Sequence, residues 1–351
     1  MIIKSLHVTN FRNHIDTVAD LSPGVNVFVG ENAQGKTNLL EAIFLTCVGR
    51  GWRSPRDRDM INFDSEQSRI KTVATKKFGD VIVEIALERK GKKSININGV
   101  PVQKMGELLG QINCIFFSPD ELRLVKEAPA DRRRFLDIDI SQIDKSYFYS
   151  LLRYHKVLAQ RNSLLKSTTE DIERGLDIWD VELEKMAKNI IARRKNFLKS
   201  LTPFVIKVHE FLTGGKETIT IEYETNSGDD LARTLRDARQ KDIRLKSTTV
   251  GPHRDDIKIE LDGKDVRLFA SQGQQRTVAL SLKLAELSIF EQLTGERPVL
   301  LLDDVLSELD VTRQLRLLDF INNGQTILTT TSFTASQEER IIQIANGTIN
   351  N

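Results

Sequence analysis

The chain has 351 residues, of which 40% are hydrophobic and 28% are charged, a composition typical of a globular protein with two domains. Its 51 basic and 49 acidic residues give a formal net charge of +2, so any surface for a polyanion must be local. No apolar run approaches the roughly 20 residues that cross a membrane, and Met1–Asn10 lacks the apolar core of a signal peptide. Cys47 and Cys114 lie far apart in apolar segments, which predicts two buried thiols. We therefore expect a cytoplasmic protein with no membrane partner.

The first predicted elements surround a phosphate-binding loop. Ile2–Val8 and the apolar run Val25–Val29 are predicted strands, and Asn38–Val48 carries apolar residues at helical spacing. Between the second strand and the helix stands the pattern G-x-x-x-x-G-K-T, residues 30–37, in the context that a P-loop requires. Backbone N–H groups of such a loop converge on a phosphate at the positive end of the helix. The sequence therefore predicts a site for a nucleoside triphosphate.

Individual residues of this loop have predicted roles. Lys36 is expected to bridge the β- and γ-phosphates, and the Thr37 hydroxyl is expected to hold Mg²⁺. The nucleotide-binding residues predicted from this stretch are Gly30, Asn32, Gly35, Lys36, Thr37 and Asn38.

A basic loop and a predicted antiparallel sheet follow. Residues 50–58 contain four arginines and one tryptophan, which indicates either a solvated connection or a place for Arg53 and Arg56 near phosphates. From Ile70 to Gln103 apolar residues alternate with polar ones, and Asn98-Gly99 is a strong hairpin turn. This alternation predicts an antiparallel β lobe.

The middle of the chain is predicted to be helical. One helix is expected over Asp144–Lys166, and residues 167–169 break it. Apolar residues over Trp179–Leu201 then recur at near-heptad spacing, which is typical of a short coiled-coil-like arm. Pro203 suits the first turn of a further short helix that ends near Leu212.

The last third of the chain supplies a second group of candidate site residues. Ser271-Gln272-Gly273-Gln274-Gln275-Arg276 precedes a long helix, with Ser271 placed as N-cap and Gly273 allowing close approach of a ligand. This is either an anion site or an ordinary capped helix. Farther on, an apolar run ends in Asp303-Asp304, as in a Walker B strand. Asp303 is expected to support Mg²⁺, and Asp304 to polarise the attacking water, so the predicted catalytic residues are Lys36, Asp303 and Asp304.

The order of these motifs carries a family resemblance. The P-loop, S-x-G-Q-x-R and the D-D…S-E-L-D stretch together resemble the ATP-binding-cassette heads of the SMC class. Four further stretches are similar to the RecF family, and the match extends over essentially the whole chain. They are Leu6–His14, Phe117–Leu122, Arg132–Asp137 and Gly251–Asp256.

The resemblance implies an ATP-dependent homodimer that sandwiches two nucleotides. Each γ-phosphate would lie between the P-loop of one subunit and the signature residues of the other, which are Ser271, Gly273, Gln274 and Arg276. The family resemblance also implies binding to double-stranded DNA and to single-strand–double-strand junctions at gaps. It further implies cooperation with RecO and RecR in loading RecA, without nuclease activity.

The family resemblance implies a DNA-stimulated ATPase, and two departures from the wider cassette pattern predict that its ATP hydrolysis is slow. The strand Thr326–Thr331 ends in Thr330 or Thr331 where many cassette ATPases carry a histidine, and Asp304 replaces the usual glutamate. No residue near Phe117 is assigned to a Q-loop.

Candidate DNA contacts are arginines in three stretches, although charge runs are more often solvated faces and residues 132–134 could instead be structural. They are Arg53, Arg56, Arg132, Arg133, Arg134, Arg193 and Arg194.

The fold predicted from the whole pattern is α/β. A P-loop ATPase head of the ABC/SMC type, with its antiparallel lobe, is expected from Met1–Phe117 together with Lys246–Asn351. A helical arm, Ser118–Leu245, is inserted between them. The alternatives are a transporter ATPase subunit, a chromosome-tethering SMC protein and an ATP-driven nuclease. The arm of only about 30–38 Å and its place between P-loop and signature favour a RecF-like head.

Overall fold

The computed structural model describes residues 1–54, 56–167, 172–228, 230–333 and 339–350. Within these ranges the strands are β1 (Ile2–Phe11), β2 (His14–Asp20), β3 (Val25–Val29), β4 (Gln67–Lys76), β5 (Gly79–Glu88), β6 (Ser94–Ile97), β7 (Val100–Pro101), β8 (Cys114–Phe117), β9 (Ile219–Glu224), β10 (Asp256–Leu261), β11 (Lys264–Asp265), β12 (Val299–Asp303), β13 (Thr326–Thr330), β14 (Arg340–Ala345) and β15 (Thr348–Asn350). The helices are α1 (Lys36–Val48), α2 (Arg123–Lys126), α3 (Pro129–Ile143), α4 (Lys145–Lys166), α5 (Ile172–Thr213), α6 (Leu231–Leu245), α7 (Val266–Phe269), α8 (Gln272–Thr294) and α9 (Val311–Ile321).

The P-loop strand lies in a sheet built from both ends of the chain. The strand order is β15-β14-β3-β13-β12-β8, and all neighbours pair in parallel except β14 and β15. Strands β3, β12 and β13 are buried along their whole length, as expected for the centre of a parallel sheet. Since both neighbours of β3 come from the C-terminal part of the chain, the P-loop depends on residues about 300 positions away.

A second sheet forms the predicted antiparallel lobe. Its order is β2-β1-β4-β5-β6-β7, and every pairing is antiparallel. Helix α1 contacts β1, β4 and β5 of this sheet, as well as β8, β12 and β13 of the parallel one. Eleven of its 13 residues are buried, which is expected of a helix enclosed between two sheets.

The contact pattern divides the chain into two units, residues 1–121 with 280–351 and residues 122–279. Residues 246–279 thus belong to the second unit, whereas the sequence pattern placed them in the head. The reason is strand pairing: β10 pairs antiparallel with β9 over the whole of Asp256–Leu261 and with β11 at its end. Periodicity identifies a strand here, but it does not show which sheet the strand joins.

The helices of the second unit differ from prediction at one proline. Helix α4 agrees with the prediction, and Asp144 caps it by accepting hydrogen bonds from two backbone N–H groups. Helix α5 continues through Pro203 to Thr213, so the prediction of a new helix at Pro203 is wrong. The buried stripe that includes Leu201, Val205 and Val208 continues across the proline, and its packing outweighs one lost backbone hydrogen bond. Residues 168–171 lie outside the described part.

The composition led to two further expectations, one about the cysteines and one about membrane-spanning helices. Cys47 and Cys114 are both buried and form no disulfide, as predicted. Among the described residues, no helix is long and apolar enough to cross a membrane.

Candidate nucleotide-binding site

Two glycines shape the P-loop because no side chain would fit at either position. A Cβ on Gly30 would lie 2.2 Å from the carbonyl oxygen of Ile344 in β14. Gly35 has φ +110°, and a Cβ there would lie 2.6 Å from Nε2 of His14. The buried His14 ring reaches the Gly35 carbonyl oxygen at 3.0 Å and the Gly347 carbonyl oxygen at 2.7 Å. The loop is therefore held between β2 and the C-terminal hairpin.

The Lys36 ammonium is folded back onto the loop. Its Nζ donates hydrogen bonds to the carbonyl oxygens of Gly30 at 2.5 Å and Glu31 at 2.8 Å. Burial lowers the pKa of Lys36, while the carboxylates of Asp304 and Asp303 act in the opposite direction. The ammonium is thus aligned along the loop and stays close to both acids.

Thr37 and Asp303 meet although 266 positions separate them. The Thr37 hydroxyl donates to Oδ1 of Asp303 at 2.6 Å, and the Thr329 hydroxyl donates to the same oxygen at 2.8 Å. Burial raises the pKa of Asp303, and the two hydroxyl donors oppose that shift. The predicted Walker A and Walker B residues therefore form one cluster, at the carboxyl ends of β3, β12 and β13.

Asp304 adopts a backbone conformation that is rare for an aspartate. Its φ is +51°, and its backbone N–H donates to the Thr329 hydroxyl at 2.9 Å. Among the described residues its Oδ1 is buried and has no hydrogen-bond partner. Left-handed backbone outside glycine is uncommon and concentrates at functional sites. The turn after β12 therefore places Asp304 next to the Thr37–Asp303 cluster, with one of its carboxylate oxygens buried and unpartnered among the described residues.

These residues line a cleft of about 310 Å³ in the first unit. Arg53 reaches it, since its Nη1 donates to Oδ1 of Asn38 at 3.1 Å and its Nη2 lies 3.9 Å from Oδ2 of Asp303. The lining residues are Asn13, Asn32, Ala33, Gln34, Gly35, Lys36, Thr37, Asn38, Arg53, Asp304 and Thr329.

The oxygen atoms of this cleft fit a magnesium ion. Mg²⁺ prefers hard oxygen ligands and takes only one or two from the protein when a phosphate and water complete its shell. The Thr37 hydroxyl and the Asp303 carboxylate are such ligands, and Asp304 lines the same cleft. The donor set is therefore suited to a magnesium–nucleotide complex.

Comparison with known proteins identifies the family. The sequence model described as the RecF/RecN/SMC N terminal domain matches residues 2–348. The DNA replication and repair protein RecF of Clostridium botulinum is 42% identical over 337 residues, which cover 94% of this chain and 93% of that protein. The chain belongs to the RecF family.

Further relatives of this RecF-family chain agree over its whole length. The RecF protein of Lachnoclostridium phytofermentans is 41% identical over 357 residues, covering 99% of each chain. The solved structure of the recombination mediator protein RecF-ATPrS in the RecFOR pathway has a TM-score of 0.92 at 37% identity, covering 99% of this chain and 97% of that one. An SMC head bound to the C-winged helix domain of ScpA has a TM-score of 0.60 at 15% identity and shares the fold alone, with 99% and 97% coverage. The predicted α/β head of the SMC type is confirmed.

The signature segment of this RecF-family chain forms a capping box in the second unit. Oγ of Ser271 accepts from the Gln274 N–H at 3.3 Å, and Oε1 of Gln274 accepts from the Ser271 N–H at 2.8 Å. The side-chain amide of Gln274 also donates to Glu217 at 3.1 Å. A Cβ on Gly273 would meet no atom within 4 Å, so the backbone there is open to a ligand. Ser271 is thus the N-cap of α8, as the sequence predicts.

Two arginines predicted to contact DNA are buried in ion pairs. Arg132 is 4% exposed and donates to both carboxylate oxygens of Asp256, at 2.6 and 2.9 Å. Arg194 is 2% exposed and pairs with Asp137 at 2.8 Å. Both are removed from the DNA-contact candidates, because neither guanidinium is exposed to a phosphate backbone.

The other candidate arginines fall into three groups. Arg53 belongs to the nucleotide cleft, as described above. Arg193 is paired with Asp144, whereas Arg133 is half-buried. Arg56 and Arg134 are exposed and remain DNA-contact candidates.

Asn13 and Thr329 line the cleft but were not predicted as site residues. Asn13 lies in the turn between β1 and β2, and its Oδ1 accepts from Nδ2 of Asn38 at 2.8 Å. Thr329 pairs with Asp303 in the parallel sheet. It is the residue before Thr330, where β13 ends. The sequence predicts the strand that contains Thr329, but it does not predict the register in which that strand pairs with β12.

Proposed function

We propose that the chain is an ATP-dependent DNA-binding protein of DNA replication and recombinational repair. The observation that carries the proposal is the cleft in which Lys36, Thr37 and Asp303 come together from opposite ends of the chain. Its support is the family: relatives over nearly the full length are described as DNA replication and repair protein RecF, and solved relatives as RecF-ATP and RecF-ATPrS in the RecFOR pathway.

ATP binds in the cleft with its phosphates on the P-loop. Lys36 exchanges its two backbone carbonyl partners for phosphate oxygens, and the backbone N–H groups of residues 30–37 complete the phosphate cradle. Thr37 and Asp303 would hold Mg²⁺, which would neutralise charge on the phosphates. Arg53 adds a second cation at the same edge, held there by Asn38.

In this proposal the chain hydrolyses ATP slowly, DNA stimulates the hydrolysis, and DNA itself is not cleaved. Asp304, which lines the cleft, accepts the proton of the attacking water through its carboxylate. Thr329 donates to the Asp303 carboxylate and accepts from the Asp304 N–H, so one hydroxyl aligns both acids. An aspartate in place of a glutamate reaches less far, which agrees with slow turnover. No nuclease step is proposed.

Two chains bind two nucleotides between them. The signature residues Ser271, Gly273, Gln274 and Arg276 of one chain contact the γ-phosphate held by the P-loop of the other. The open backbone at Gly273 and the capped helix start at Ser271 support this assignment. Such a dimer forms with ATP and separates after hydrolysis.

The proposed dimer binds double-stranded DNA and single-strand–double-strand junctions, and acts with RecO and RecR to load RecA. The support is the RecFOR pathway named for the solved RecF relatives. Binding rests on phosphate contacts, so it is independent of sequence and weakens with salt.

Multi-angle light scattering tests the dimer with no nucleotide, ADP or ATP and Mg²⁺. We expect the wild-type chain to double its mass only with ATP, and Ser271→Arg to stay monomeric while binding ATP. Ser94→Arg is the matched control, because Ser94 is exposed on β6 and gains the same bulk and charge. A wild-type chain that stays monomeric with ATP bound would refute the dimer, and so would dimerisation of Ser271→Arg.

A further inference from the structure

A loop of the second unit, residues 251–256, is fixed from several directions. His253 lies at its centre: Nε2 is 3.0 Å from the carbonyl oxygen of Thr248, and Nδ1 is 2.6 Å from the hydroxyl of Tyr154. Because a carbonyl only accepts, Nε2 carries the ring proton and Nδ1 accepts from Tyr154. Burial lowers the pKa of His253 to about 4, so the ring is neutral at pH 7. Gly251 has φ +125°, and a Cβ there would lie 2.7 Å from the Tyr154 hydroxyl oxygen.

The remaining anchors of the loop are equally short. The Asp255 carboxylate accepts from the Tyr223 hydroxyl at 2.6 Å and from the Asn226 N–H at 2.8 Å. Arg194 donates from Nη1 to the carbonyl oxygen of Pro252 at 2.7 Å. The loop backbone is therefore held in one conformation by buried or half-buried groups.

Arg254 is the exception in this loop. Its backbone N–H closes a turn onto Gly251 at 2.8 Å, but its side chain is exposed. Among the described residues, that side chain has no hydrogen-bond or ion-pair partner. A long cationic side chain is thus presented to solvent from an unusually well-fixed backbone.

A second arginine lies close to Arg254. Arg133 is half-buried and donates from Nη1 to the backbone carbonyl oxygen of Asp255 at 2.7 Å. Burial lowers the pKa of Arg133, as do the positive charges of Arg194 and Arg254, while the carboxylates of Asp256 and Asp137 act in the opposite direction. Arg134, the next residue in α3, is exposed. We call Arg133, Arg134 and Arg254 the arginine cluster.

The acids around the arginine cluster are already engaged. Both carboxylate oxygens of Asp256 accept from Arg132, and Asp137 accepts from Arg194. The Asp255 carboxylate accepts from the Tyr223 hydroxyl and the Asn226 N–H. The positive charges of Arg133 and Arg254 repel each other, and an anion that binds between them reduces this repulsion.

We propose that the arginine cluster, with Arg254 as its principal contact, binds the phosphate backbone of double-stranded DNA. The inference rests on the proposed function and assigns it a surface. Arg254 and Arg134 are exposed, so the charges of both are accessible to the phosphates of a polyanion. Because the loop is already fixed, its backbone loses little conformational entropy when Arg254 binds a phosphate.

The test is fluorescence anisotropy of a labelled duplex with the full chain, ATP and Mg²⁺, over a series of salt concentrations. We expect Arg254→Ala to raise the Kd about three- to tenfold and to reduce the slope of log K against log salt by about 1. Arg254→Lys should recover most of the affinity. Arg236→Ala is the matched control, because Arg236 is an exposed arginine of α6 in the same unit. The affinity of each variant for ATP is measured in parallel.

Three results would overturn the inference while leaving the proposed function intact. They are unchanged DNA affinity in Arg254→Ala, an equal loss in Arg236→Ala, and a loss confined to ATP affinity, which would make a nucleotide phosphate the ligand. If the wild-type chain itself fails to bind the duplex with ATP, the proposed function fails and this inference fails with it.

Discussion

Asp304→Asn is expected to slow ATP hydrolysis by about 10²- to 10⁴-fold, the usual contribution of a general base. The affinity for ATP should stay within about twofold, since asparagine keeps the size of the side chain. The physical reason is the place of Asp304 in the lining of the nucleotide cleft, where its carboxylate is the proposed proton acceptor. Phosphate release under single-turnover conditions measures the rate, and a binding titration measures the affinity.

The matched control for this variant is Asp16→Asn. Asp16 is an exposed carboxylate in the same unit, paired with His7 at 2.6 Å. Its hydrolysis rate should equal that of the wild type. A wild-type rate in Asp304→Asn would show that another group accepts the proton.

Arg161→Met is expected to lower the free energy of unfolding by about 3–5 kcal/mol, the typical loss when one member of a buried ion pair is removed. Arg161 is fully buried and donates to Asp180 and to Asp242, each at 2.7 Å. The side chain of Asp242 is also fully buried, so the variant leaves its carboxylate without a counter-charge. Urea unfolding followed by far-UV circular dichroism measures the change.

Arg233→Met is the control for this stability measurement. Arg233 is 77% exposed, and its ion pair with Asp237 at 3.7 Å lies along one face of α6. Its removal should change the free energy of unfolding by less than about 0.5 kcal/mol. Equal urea midpoints for the two variants would show that the buried ion pairs do not hold α4, α5 and α6 together.

Local sequence was sufficient to predict elements whose burial follows a simple period. Residues 25–37 alone predict β3, which is apolar except for Asn26, and the G-x-x-x-x-G-K-T loop after it, while alternation predicts the antiparallel lobe. The pair Asp303-Asp304 was identifiable because an apolar strand delivers it at a sheet edge. These features depend on neighbours within a few residues.

Features that depend on distant pairing were not predictable in the same way. Thr329 enters the cleft because β13 pairs in register with β12, and β10 belongs to the second unit because it pairs with β9. Pro203 stays inside a helix because buried residues on either side of it pack against the rest of the unit. In each case tertiary contact overrides the local signal.

The arginine-rich stretches show that the sequence also does not predict which charged residues form ion pairs. Arg132 and Arg194 look like DNA contacts in sequence, yet each faces an aspartate from a distant part of the chain. In the sequence Arg254 is only one residue of a family motif, and the structure shows that its side chain is exposed while the rest of its loop is anchored. The amino-acid sequence gives the charge of a side chain but not its ion-pair partner.

The most direct test of the account is isothermal titration of the full chain with ATP and Mg²⁺. We expect one ATP per chain, and a loss of affinity of at least about 100-fold in Lys36→Met, because the cleft loses the cation that contacts the phosphates. Lys4→Met, which removes an exposed lysine paired with Asp80 at 2.9 Å, should bind as the wild type does. Equal ATP affinity in Lys36→Met and the wild type would contradict the assignment of this cleft as the nucleotide site.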